Sequence, residues 1–296
     1  MKICIIGGNG VIGLELVKQF VENGDDVFFT YFKNKINHKC KNSKLDITDK
    51  DATINLITKL MPDVVIHAAA LTNVDLCEIK HDLANSINVD GVKNVLEGCD
   101  IVGSKIVYIS SSFVFDGKKC EYYENDQTSP ATYYGITKFN AEKCVMESNS
   151  QYLILRTDQP YCWNKNWQHT NSVVRVIKTL KSGKELNEIR DWCNTPTFVP
   201  DFVKATLELI SRNLTGIYHV VGSDYIDRFN WSLLVANIFD LNKKLIKPIN
   251  SNELSLSAKR VNVNLKNKKL FEHTGVQMKG INEGLYSMLN EKPKNI

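Results

Sequence analysis

Hydrophobic positions in the first half of the chain follow two alternating rhythms. Short apolar or β-branched runs at residues 2–6, 27–31, 63–67, 105–110 and 152–156 read as strands. The stretches between them read as helices. The clearest is 11–21, where Val11, Ile12, Leu14, Leu16, Val17, Phe20 and Val21 recur at helical spacing. Residues 49–60, 84–96 and 132–146 carry weaker versions of the same pattern. Strands that alternate with helices require a parallel sheet covered on both faces, so the pattern predicts an α/β, doubly wound fold.

Past residue 157 the rhythm changes. Residues 161–169 are aromatic and polar, with Trp163 and Trp167. Residues 171–181, 201–211 and 230–239 read as helices, 216–221 as a strand, 191–200 as a loop with two prolines, and the end as a polar tail. No Pro/Gly/Ser-rich linker separates the halves. The expected organisation is a cofactor domain at 1–157 and a smaller C-terminal substrate lobe at 158–296, partly integrated with the sheet.

Composition narrows the picture. At 296 residues the chain can bury roughly 75% of its unfolded surface, so its core needs neither disulfides nor metal. Lys and Arg total 37 against 33 Asp and Glu, a scattered net charge of +4 that gives nucleic-acid binding little support. No apolar run reaches the ~18 residues of a membrane span. The apolar start gives way to glycine too soon for a signal peptide, so a cytoplasmic location is expected. The eight cysteines form no C-x-x-C pair and read as free thiols, mostly buried, with no metal site.

Chemistry enters at the first turn. Gly7, Gly10 and Gly13 make G-x-x-G-x-x-G between the first strand and the first helix. The first glycine permits a tight turn, the second a close approach of a pyrophosphate, and the third close packing of helix on strand. Asn9, Val11 and Ile12 complete the turn and open a helix whose N–H groups face a phosphate. This context predicts a dinucleotide site. The second strand ends Phe29-Thr30-Tyr31-Phe32-Lys33, without the acid that would hold a ribose 2′-hydroxyl. Tyr31 and Lys33 therefore favour NADP(H), with NAD(H) as the alternative.

Tyr134 and Lys138 are four residues apart on a predicted helix and share one face. A nearby ammonium is expected to lower the tyrosine's ordinary pKa of about 10, fitting it for proton transfer. Ser110, Ser111 and Ser112 lie at the carboxyl end of a predicted parallel strand, the edge where ligands bind in such sheets.

Together these features resemble the extended short-chain dehydrogenase/reductase family, with its Rossmann-type sheet. The matching residues are the three glycines, Leu45-Asp46-Ile47, His67-Ala68-Ala69-Ala70-Leu71-Thr72, Ile87-Asn88-Val89, the three serines and Tyr134-x-x-x-Lys138, in family order. Within it the chain is similar to the dTDP-4-dehydrorhamnose reductase branch, through residues 68–78, 191–201 and 259–262. The resemblance implies roles. Ser111 takes the catalytic Ser/Thr position, Tyr134 is the acid that protonates the nascent alkoxide, and Lys138 tunes Tyr134 and binds the nicotinamide ribose. Asp46 and Ile47 contact adenine; Ala69, Ala70 and Leu71 line the cofactor cleft. Ser112, Phe113, Trp192 and Arg260 face a nucleotide-sugar substrate, Arg260 toward its diphosphate. A homodimer is implied through helices at 84–96 and 132–146.

The chain departs from the branch after the strand, reading Ser110-Ser111-Ser112-Phe113 where Ser-Thr-Asp-Tyr is common. Sugar 4,6-dehydratases place Asp-Glu there, and 3,5-epimerase/reductases place a cysteine at the position of Phe113. Reduction of a nucleotide-linked 4-keto-6-deoxy sugar is therefore the expected reaction. A nucleotide-sugar 4-epimerase, which needs only the same Ser/Tyr/Lys set, is one alternative. The other is a non-catalytic NADP-binding regulatory subunit. The β subunit of methionine adenosyltransferase is similar, with Ser-Ser and then an aromatic-Val-Phe-Asp-Gly run like residues 110–117.

Overall fold

The computed structural model of the chain describes residues 1–36 and 39–291. Seven strands form one sheet: β1 (Lys2–Ile6), β2 (Asp26–Tyr31), β3 (Lys41–Lys44), β4 (Val64–His67), β5 (Lys105–Ser111), β6 (Tyr152–Thr157) and β7 (Gly216–His219). Their order is β7-β6-β5-β4-β1-β2-β3, and every pairing is parallel. The chain winds outward from β1 in both directions, so a crevice opens at the carboxyl ends of β1 and β4.

The period-2 geometry of β1 divides the core. Ile3 and Ile5 face one side, with α1 (Val11–Glu22) and α6 (Val199–Ser211), through Leu16, Val17, Phe20, Phe202 and Leu209. Cys4 and Ile6 face the other, with α2 (Lys50–Leu60), α3 (Gly91–Val102) and α4 (Tyr133–Glu147), through Ile57, Val95 and Val145. The lobe adds α5 (Ser172–Lys181) and α7 (Arg228–Ile238) around Trp231. Side-chain caps start several helices one residue inside their predicted limits. Asp49 accepts from the Ala52 N–H at 3.0 Å, Thr132 from Gly135 at 3.1 Å and Asn171 from Val174 at 3.2 Å.

Three features differ from the expectations. Strand β3 reads Lys-Asn-Ser-Lys and carries no apolar signal, because it is an edge strand. The helix expected at 84–96 is instead His81–Asn85, a π-helical turn at Ser86–Asp90, then α3. The polar tail forms regular elements within its described residues, which end at 291. Ile246–Ile249 pairs with Leu186–Ile189, and helices Lys268–Thr274 and Ile281–Asn290 bury Leu270, Leu285 and Met288. The second half also supplies β7 to the sheet and packs α6 on α1. Cys4, Cys77, Cys99 and Cys162 are buried free thiols, and Cys120 is exposed.

Candidate active site

A cavity of about 490 Å³ lies at the carboxyl edge of the sheet. One wall is the glycine turn, Gly10 to Gly13, with Ala68, Ala69 and Ala70 beyond β4. Gly7 has φ +80°, and a Cβ there would stand 2.9 Å from the Ala69 nitrogen. A Cβ on Gly13 would stand 2.2 Å from the Gly7 carbonyl oxygen, so only glycine lets α1 start this close to β1. The turn is tied to β2. Gly8 N donates to the Thr30 carbonyl at 2.8 Å, and Asn9 Nδ2 donates to the Lys33 carbonyl at 2.7 Å. Gly10 caps α1 with no side-chain hydrogen bond, leaving the first helical N–H groups for an anion. These residues fit the pyrophosphate of a dinucleotide.

The opposite wall joins β5 to α4. Ser110, Ser111, Phe113, Tyr134 and Lys138 all line the cavity. Thr132 caps α4, which fixes Tyr134 and Lys138 one turn apart over the end of β5. The Ser111 hydroxyl lies beside the Tyr134 phenol and accepts from Phe113 N at 3.4 Å. The Phe113 ring meets the Tyr134 ring edge-on, with centroids 5.6 Å apart. Lys138 Nζ donates to the Ile109 carbonyl at 2.7 Å and lies 4.2 Å from the Tyr108 ring centroid.

The electrostatics reverse one expectation. Burial pushes the Tyr134 phenol above its ordinary pKa, and the Ser111 hydroxyl opposes this only in part. Burial also pulls Lys138 down to about 7, against the attraction of Glu142. Desolvation outweighs any stabilisation of the phenolate by the ammonium. A phenol held protonated at neutral pH suits a proton donor, the role that reduction of a carbonyl requires.

Two buried contacts support this wall. Asn88 Oδ1 accepts from Leu71 N at 2.8 Å, while Asn88 Nδ2 donates to the Leu71 carbonyl and to Thr137 Oγ1, both at 3.1 Å. It thereby pins the segment after β4 to α4. Arg156 and Glu142 form a two-pronged ion pair, Nε–Oε1 3.0 Å and Nη2–Oε2 2.8 Å, that ties α4 to β6.

The remaining predicted residues are more dispersed. Tyr31, Lys33, Asp46 and Ile47 extend the same sheet edge beyond the cavity: Tyr31 pairs with Lys44, and the Asp46 carboxylate accepts from Thr48 N at 3.0 Å. Ile47 is buried, and its carbonyl accepts from Asn94 at 2.9 Å. Ser112, Trp192 and Arg260 do not line the cavity. Ser112 is buried beside Asp158. Arg260 closes its guanidinium fork on Asp75, at 3.2 and 2.6 Å. The guanidinium carbons of Arg260 and Arg228 are 5.3 and 5.4 Å from the Trp192 ring centroid.

Residues 1–293 match the RmlD substrate binding domain family. The chain belongs to that family. It is 27% identical over 301 residues to methionine adenosyltransferase 2 subunit beta of Rattus norvegicus, covering 98% of this chain and 89% of that protein. It is 29% identical over 242 residues to dTDP-4-dehydrorhamnose reductase of Aggregatibacter actinomycetemcomitans, covering 79% and 78% of the two chains. The crystal structure of dTDP-4-dehydrorhamnose reductase from Bacillus anthracis in complex with NADP superposes with a TM-score of 0.88, at 28% identity, over 99% of this chain and all of that one.

This RmlD-family site also contains residues that the periodicity did not reveal. Thr157, Asp158, Gln159 and Pro160 line the cavity, as do His169, Thr170, Asn171 and Ser172 from the lobe. Residues 157–160 follow a strand that ends at the same sheet edge as the serines, so the carboxyl-edge rule applied to β6 points to them too. His169 to Ser172 arrive through a long loop and carry no local signal.

Proposed function

We propose that the chain is an NADP(H)-dependent reductase of a nucleotide-linked 4-keto-6-deoxy sugar, with residues 1–157 holding the cofactor and 158–296 shaping the substrate site. One observation carries this reading: Ser111, Tyr134 and Lys138 share a single cavity with the glycine turn. The dTDP-4-dehydrorhamnose reductases among its relatives, one of them solved with NADP, support it.

The Gly7–Gly13 turn and the start of α1 would hold the pyrophosphate, and Lys138 the nicotinamide ribose. Tyr31 and the exposed Lys33 tolerate a 2′-phosphate, which favours NADP(H) over NAD(H). When bound, the cofactor supplies the hydride. The protein's own share is proton delivery and positioning. Ser111 and Tyr134 donate hydrogen bonds to the carbonyl oxygen, and Tyr134 passes its proton to that oxygen as negative charge develops.

Cofactor affinity should depend on pH through Lys138. Below its pKa of about 7 the side chain is an ammonium and attracts an anionic dinucleotide; above it the charge is lost. The Kd for NADPH should therefore weaken as pH rises from 6 to 9, by at most about tenfold per unit. Fluorescence titration should show this slope in the wild type and a nearly flat profile in Lys138→Met. Equal slopes in both would remove Lys138 from the effect.

The test of function is NADPH oxidation across 4-keto sugars linked to dTDP, UDP, GDP and CDP. The reductase reading predicts turnover of at least one. The full-length similarity to methionine adenosyltransferase 2 subunit beta favours a second reading, a regulatory subunit. That reading predicts no NADPH oxidation and a co-purifying partner enzyme.

A further inference from the structure

The reductase reading gives no task to Asp158, a charged residue of the cavity wall. Asp158 follows β6, is 3% exposed, and lines the same cavity as Tyr134. Its carboxylate accepts a hydrogen bond from Thr195 N at 2.9 Å, with the neutral side chains of Ser112 and Asn194 beside it. The Thr195 bond anchors one carboxylate oxygen, Oδ2.

The nearest buried cation turns its donors elsewhere. Arg228 Nη1 donates to Gln159 Oε1 at 3.0 Å and to the Ser172 hydroxyl, and its Nε stands 3.9 Å from Glu188. Arg228 acts on Asp158 only at longer range. A carboxylate has about four lone-pair positions. The Thr195 N–H fills one of them, and Asp158 lines the cavity. A buried charge in this state gains from one more donor.

We infer that Asp158 is a specificity-determining residue that accepts a hydrogen bond from a donor substituent, hydroxyl or ammonium, on the sugar carbon beside the reacting carbonyl. This rests on the reductase reading above. The two sides of the pocket then divide the labour. Ser111 and Tyr134 donate to the carbonyl oxygen, and Asp158 accepts from its neighbour. A sugar lacking that donor leaves the carboxylate short of a partner and is rejected for that reason.

The test pairs substrates with variants. Wild type and Asp158→Asn are compared on a nucleotide-linked 4-keto sugar bearing the adjacent hydroxyl, on its deoxy analogue, and on its amino analogue. Steady-state kinetics and calorimetric binding to the NADP-loaded protein are both measured. In the wild type the hydroxyl substrate should have a KM at least about tenfold below that of the deoxy analogue. In Asp158→Asn the hydroxyl substrate's KM should rise by about tenfold, with kcat within about threefold, and the deoxy analogue's KM should not move. The amino arm tells the two donors apart: a larger loss for the amino sugar identifies an ammonium, and a smaller one a hydroxyl.

The inference fails if hydroxyl and deoxy substrates lose equally, which marks a purely structural carboxylate, or if neither changes. If Asp158→Asn does not fold, as judged by circular dichroism and NADPH binding, the wild-type preference alone decides. If the wild type neither binds nor reduces any sugar in the panel, the reductase reading itself has failed. An active wild type indifferent to the adjacent donor overturns only the role of Asp158.

Discussion

Replacing Tyr134 with Phe is expected to lower kcat by about three orders of magnitude, the scale of a lost general acid. NADPH affinity should stay within about twofold, since affinity of this kind rests on the glycine turn and Lys138 rather than on the phenol oxygen. The fold should tolerate the change. Tyr134 is buried against Phe113, and the substitution keeps the ring and its edge-on contact. The Ser111 hydroxyl keeps the hydrogen bond it accepts from Phe113 N at 3.4 Å. Stopped-flow measurement of hydride transfer, with cofactor titration on the same preparation, separates the two quantities. A variant that keeps more than a tenth of wild-type kcat would mean that another group supplies the proton.

The second large effect concerns stability. Glu142→Ala should destabilise the protein by about 3–5 kcal/mol, because it strands the Arg156 guanidinium in the core. The pair is almost wholly enclosed, with side chains 3% and 0% exposed. What remains to Arg156 is the Glu124 carbonyl at 3.4 Å and the Phe115 ring, 5.0 Å from the guanidinium carbon to the ring centroid. Thermal unfolding should fall by on the order of 10 °C. The double variant Glu142→Leu/Arg156→Met should be less damaged than Glu142→Ala, since it leaves no unpaired charge. Equal damage in the two would assign the loss to packing. The effect also reaches the site: without Glu142, Lys138 loses a favourable charge, and its pKa should drop further below 7.

The legibility of this chain follows physical range. The central strands were readable because residues buried on both faces make near-continuous apolar runs, as in Lys2–Ile6 and Val64–His67. Strand β3 was not, because its polar residues are held by backbone pairing to β2. The glycine turn and the Tyr134/Lys138 pair were readable because their geometry is local: a strand–turn–helix and one helical turn. The pairing of Arg260 was not readable because its partner, Asp75, lies 185 residues away. The direction of the Tyr134 shift was misjudged for a related reason. The charge of Lys138 is visible in the sequence, while the burial that overrides it exists only in the folded chain. Asp158 carries no local signal, because the cavity it lines is assembled from distant parts of the chain.

The central claim is that this cavity delivers a hydride and a proton to one carbonyl. It is tested most directly by supplying NADPH deuterated at the transferring C4 position together with a nucleotide-linked 4-keto-6-deoxy sugar, and weighing the product by mass spectrometry. The account predicts one deuterium on the former carbonyl carbon, with one NADPH oxidised for each product formed. A product free of deuterium, or none while NADPH remains bound and unoxidised, would contradict it.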